Sequence, residues 1–175
     1  LFTGLGLRVA YALLGSTWLI MKTDGDLQAR MIRIGKPITI ALVITIGIVS
    51  LWTPAVHPAI AARWFSLPNL YFFAPVPILV VLIAGLLFKL LRAGSHAAPF
   101  LLALCLVFLG YSGLAISLWP NIIPPALSIW DAAGPPQALG FTLVGALFII
   151  PFILAYTAWA YFVFRGKVKQ GEGYH

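Results

Sequence analysis

Charge is scarce in this chain. Only 9% of its 175 residues are charged, and only four are acids: Asp24, Asp26, Asp131 and Glu172. A site built on paired carboxylates has almost nothing to draw on. The single cysteine, Cys105, excludes an internal disulfide and a Cys-rich metal site. The three histidines, His57, His96 and His175, all fall outside the apolar runs, so no run carries an imidazole for haem or metal. There is no Gly-rich phosphate loop, nucleophile–base motif or metal-ligand spacing. What is abundant is apolar surface. Hydrophobic residues make up 62% of the chain and the mean hydropathy is +1.03. A soluble domain of this size cannot hide that much, so part of the solvent is lipid.

Five runs approach the ~20 apolar residues that a membrane helix needs, with ~17 as the lower limit. They cover 1–21, 37–53, 75–91, 99–118 and 138–164. The fold class is therefore all-α, a polytopic transmembrane helix bundle in one domain over 1–175, because lipid offers no partner for open backbone groups. Residue 1 is Leu and lies inside a run, so the chain reads as a fragment lacking its N-terminal part. Pro151 lies within the fifth run and is expected to bend it.

The charges set an orientation. Lys22, Arg30, Arg33 and Lys36 separate runs one and two; Lys89 and Arg92 end run three; Arg165, Lys167 and Lys169 follow run five. If every run crosses, these nine bases share one side and Arg63 stands alone on the other. That bias places the C-terminal tail 165–175 in the cytoplasm and the loops 54–74 and 119–137 outside. The formal charge of +7 thus reports topology, and no nucleic-acid partner is expected. The segment 22–36 mixes apolar and charged residues at helical spacing, with Asp26 four residues before Arg30. It is expected to be a helix projecting beyond the membrane. The outer loops are rich in proline and aromatics, and read as lying along the membrane surface or against a partner.

Few residues are candidates for chemistry. Arg8 is the one charge inside a run, in its outer third, either a site residue with a carboxylate partner elsewhere or a cation that snorkels to the interface. Asp131 is the sole acid outside the cytoplasmic segments. It reads as an anchor for its loop or a proton-path residue, against the simpler alternative of a turn or helix cap. Trp18, Trp52, Trp119 and Trp159 lie near run ends and form an aromatic belt. Cys105 is expected to be a small buried residue, and Met21 and Met31 to be packing residues.

Three motifs resemble subunit II of the cytochrome bd-type quinol oxidases, including their cyanide-insensitive branch. The first is Tyr11-Ala12-Leu13-Leu14-Gly15-Ser16-Thr17-Trp18-Leu19, continuing in Lys22-Thr23-Asp24-Gly25-Asp26-Leu27-Gln28. The second is Ser128-Ile129-Trp130-Asp131-Ala132. The third is Pro151-Phe152-Ile153-Leu154-Ala155-Tyr156-Thr157-Ala158-Trp159. The resemblance implies the C-terminal half of that subunit, with runs two to five as its second four-helix bundle and run one as the last helix of the first. It implies a bacterial inner-membrane complex that oxidises ubiquinol and reduces oxygen. The b- and d-type haems and the quinol loop would belong to the larger subunit I. This chain would hold no cofactor directly beyond a structural quinone or lipid. Its partners would be subunit I, the quinol pool and membrane lipid. Trp130 and Asp131 fall in a family motif, which favours a specific structural role; Arg8 matches no family feature.

Two other readings compete. Half of a transporter or channel would show paired polar residues at mid-membrane depth or broken helices around a substrate. A stand-alone haem or quinone enzyme would carry a His or carboxylate on a span.

Overall fold

A computed structural model describes residues 2–124 and 126–167. Five helices are long and apolar enough to cross a membrane. The chain runs through α1 (Phe2–Lys22), α2 (Gly25–Val56), α3 (Pro58–Phe65), α4 (Asn69–Phe73), α5 (Pro75–Arg92) and α6 (Ala98–Leu118). A short antiparallel pair follows, β1 (Asn121–Ile123) and β2 (Leu127–Ser128), then α7 (Ile129–Ala132) and α8 (Pro136–Val163). The described residues form two compact units, one holding 2–117 with Lys167, the other Leu118–Gly166.

The first unit is built from α1, α2, α5 and α6. Each buries one stripe at helical spacing: Leu13, Ser16, Thr17 and Ile20 on α1; Gly35, Thr39 and Leu42 on α2; Val80, Ala84, Leu87 and Leu91 on α5; Pro99, Ala103 and Leu106 on α6. Residues at i, i+4 and i+7 share a face, so the four stripes meet in one core. The core therefore includes the first span. The cause is local: only Thr23 and Asp24 separate α1 from α2, so the two must lie side by side, antiparallel.

Lipid gives these helices little hydrophobic reason to associate; close packing must do it, and small residues permit it. Gly35 faces Ser16 and Leu91, and a Cβ on it would sit 3.7 Å from Leu91. Gly6 is tighter, since its Cβ would lie 2.7 Å from Thr45 Cγ2. The buried hydroxyls are satisfied within their own helices. Thr17 Oγ1 donates to Leu13 O at 2.7 Å, Ser16 Oγ to Leu13 O at 3.0 Å, and Thr39 Oγ1 to Gly35 O at 2.8 Å.

The expected helical projection over 22–36 is present. It is the first part of α2, which continues unbroken through Pro37 and Pro54 for 32 residues, about 48 Å at 1.5 Å per residue. Asp26 and Arg30 do not close a salt bridge there. Gly25 supplies the positive φ of +70° that turns the chain from α1 into α2. At the far end of α5, Gly94 has φ +69° and Ser95 N–H donates to Leu90 O at 3.1 Å, a Schellman ending.

The segment 54–74 is more ordered than a surface loop. It carries α3 and α4, and α4 leads into α5 through Ala74. Arg63, the lone base on this side, donates from its guanidinium to Ile116 O. Ile116 is in the last turn of α6, whose final carbonyls have no donor within the helix and form the negative end of its dipole. Arg63 is held there for a structural reason, which explains the exception to the charge bias.

Cations sit over aromatic rings: in the first unit Lys22 Nζ is 5.2 Å from the Trp18 ring and Arg92 4.6 Å from Phe88, and in the second unit Arg165 is 4.1 Å from Phe162. Trp18 does more than mark the interface. It is half-buried and meets Phe100 edge-on, with centroids 5.1 Å apart, tying α1 to α6. Cys105 departs from expectation, being exposed. The buried face of α6 is set by Pro99, Ala103 and Leu106, and Cys105 lies two residues from Ala103, about half a turn away.

The second unit contains α8, which runs 28 residues through Pro151. No residue of α8 is buried, and it has no polar face. A helix apolar all round is suited to lipid or to protein on every side.

Candidate functional site

Trp130 and Asp131 lie together on α7, in the second unit. The chain is prepared for them by the β1–β2 pair, in which Asn121 faces Ser128 and Ile123 faces Leu127, and by Ile129 N–H donating to Pro120 O at 2.9 Å. Ser128 is the N-cap. Its Oγ accepts from Asp131 N–H at 3.2 Å and donates to Asp131 Oδ2 at 2.5 Å. Asp131 Oδ2 also accepts from Ser128 N–H at 3.3 Å. The two residues thus cap one turn reciprocally, a capping box closed by Asp in place of the usual Glu or Gln. Trp130 meets Trp119 edge-on at 6.2 Å. The loop consequently folds on itself, with an exposed carboxylate held through Oδ2 by its own turn and an exposed indole beside it.

Arg8 belongs to the first unit, on an exposed face of α1 beside Leu5, Leu7 and Tyr11. It has no hydrogen-bond or ion-pair partner among the described residues. Next to it, α1 and α2 leave an open groove of about 420 Å³, lined by Arg8, Val9, Ala12, Pro37, Ile38 and Ala41. Apart from the guanidinium, that lining is apolar.

A third group joins residues that the charge pattern alone does not connect. Gln28 Nε2 lies 2.8 Å from Ile20 O, 3.0 Å from Thr23 O and 2.8 Å from His96 Nδ1. The two carbonyls fix the amide with its NH2 toward them, so His96 Nδ1 acts as acceptor. Beside it Lys167 Nζ is 2.6 Å from Asp24 Oδ1 and 3.5 Å from His96 Nδ1. Gln28, the last residue of the first motif, is the signal that could have pointed here: an uncharged amide one turn into a helix whose neighbours are apolar or charged. The arrangement closes the end of α1, the start of α2 and the turn between α5 and α6 around one side chain.

Among the described residues no three of His, Cys, Asp and Glu come together as a metal site. His57 caps the junction of α2 and α3, and His96 lies in a turn. Met31 packs against the core. Among the described residues the arrangements seen are structural, capping and packing, and Arg8 lies without a partner on a span.

The family model described as cytochrome bd terminal oxidase subunit II matches residues 1–164. The chain has no match among curated proteins.

Proposed function

This chain belongs to the family of cytochrome bd terminal oxidase subunit II, and we propose from that premise that it is the non-haem-ligating partner of a haem-bearing subunit I. In this reading the complex oxidises quinol and reduces oxygen in a bacterial cytoplasmic membrane. The b- and d-type haems belong to subunit I, and the role of this chain is assembly. Its C-terminal tail is cytoplasmic.

The observation that carries the reading is α8. It is a 28-residue apolar helix with no buried residue. Such a helix is prepared to be covered by another protein, and this chain's spans supply no imidazole or carboxylate for redox chemistry of their own. The nine clustered bases support the orientation.

The test is affinity isolation of the tagged protein from its native membranes, followed by a reduced-minus-oxidised optical spectrum. The expected result is a larger co-purifying chain, b- or d-type haem bands and quinol-dependent oxygen uptake. A colourless protein that comes down alone from intact membranes refutes the reading.

A further inference from the structure

We propose that Arg8 and the groove between α1 and α2 bind one phospholipid of the leaflet nearest the Phe2 end of α1. Its phosphate lies on the guanidinium and one acyl chain lies along Val9, Ala12, Ile38 and Ala41.

The first argument is charge. Arg8 is exposed on a membrane-spanning helix and has no partner among the described residues. No acid of this chain lies in a span: Asp24 and Asp26 are at the start of α2, Asp131 is on α7, and Glu172 is beyond α8. A bare guanidinium in hydrocarbon is costly, and the described residues offer it no anion.

The second argument is depth. Arg8 is fourteen residues before Lys22, about 21 Å along the axis, in a hydrocarbon layer about 30 Å thick, which puts it about 9 Å below the surface at the other end. An arginine at that depth extends its stem along apolar surface and brings its head to the phosphate level. The planar guanidinium donates two parallel N–H groups, the geometry that suits a phosphate.

The third argument is the groove. α1 and α2 are antiparallel, so Ala12 and Pro37 lie on the inward side of Arg8, toward the bilayer centre. The groove therefore begins at the cation and continues where acyl chains run. Ala12 and Ala41 keep it open by the smallness of their side chains.

The experiment uses the intact complex in vesicles containing phosphatidylglycerol with a diazirine on one acyl chain. After irradiation, adducts are mapped by peptide mass spectrometry. Adducts are expected on the peptides that hold 9–12 and 37–41. Arg8→Gln and Ala41→Phe should each lower them about tenfold, the loss expected for one charge-assisted phosphate contact or a filled groove. Arg8→Lys should retain most of the labelling, and a diazirine diacylglycerol without phosphate should label about tenfold less. Labelling unchanged by Arg8→Gln, or equal labelling by the uncharged lipid, overturns the proposal. If Arg8→Gln does not assemble, Ala41→Phe decides alone, because it leaves the cation in place: unchanged labelling there overturns the proposal equally.

Discussion

Gln28 Nε2 lies 2.8 Å from His96 Nδ1 across 68 positions of sequence, joining the start of α2 to the turn before α6. The amide also serves two backbone carbonyls, at Ile20 and Thr23. Removing Gln28 takes a donor from both carbonyls and from His96 Nδ1, which keeps Lys167 Nζ at 3.5 Å, whereas removing His96 leaves one donor hydrogen that still has the carbonyls to turn to. Gln28→Ala is therefore expected to destabilise the assembled protein by ~1–3 kcal/mol and His96→Ala by less, about 0.5–1 kcal/mol. Thermal unfolding of both variants and their double mutant checks this. Equal losses would show that the carbonyl contacts contribute nothing.

Close approach at Gly6 makes a second prediction. An alanine Cβ there would sit 2.7 Å from Thr45 Cγ2. Gly6→Ala should cost ~1–3 kcal/mol, the usual penalty of overpacking. Thr45→Ser removes the offending methyl and keeps the hydroxyl that donates to Ala41 O at 2.8 Å. The double variant should recover most of the stability in the same melt. If it stays as unstable as Gly6→Ala, the clash is not the cause.

The capping box gives a third. Asp131→Ala should lose ~0.5–1 kcal/mol, because the turn is exposed and water competes for its donors. Asp131→Asn should lose less, since the amide oxygen still accepts from Ser128. Amide exchange should quicken over 128–132 in Asp131→Ala and stay unchanged in the core helices. Faster exchange throughout the protein would mean that Asp131 supports more than its own turn.

Arg63 provides the fourth. Its guanidinium meets Ile116 O, and Ser66 Oγ and Asn69 Nδ2 both donate to Arg63 O, at 3.0 and 3.2 Å. Arg63→Leu should cost ~1–3 kcal/mol by leaving the α6 carbonyl without its charged donor. Protease sensitivity at 54–74 should rise with it, while the number of membrane crossings stays at five. A melt identical to wild type would show that the contact is incidental.

How much of this is legible in the chain differs by region, for physical reasons. The spans are legible because lipid leaves the backbone one solution, so length and polarity suffice. The projection of α2 is legible because Leu27, Met31 and Ile34 recur among charges at helical spacing. The segment 57–73 is not. Its prolines and aromatics suit a surface coil as well as α3 and α4, and what decides is Arg63 reaching a carbonyl more than fifty residues away. Cys105 reads as buried and is exposed, because α6 is apolar on every side and composition does not say which stripe turns inward. Asp131 could be narrowed to a cap or an anchor, and its geometry is that of a cap; Ser128, three residues before it, was the mark of that. Trp18 and Gln28 have partners, Phe100 and His96, that no local pattern announces.

The length of α2 has an entropic consequence. A flexible connection between two spans surrenders its freedom each time it meets a neighbour, and the encounter is weakened accordingly. Here the stretch that carries Arg30, Arg33 and Lys36 continues the membrane helix itself, so its three cations stand at set heights and angles above the bilayer before anything arrives. Whatever approaches that face finds a rigid array whose ordering was completed when the chain folded.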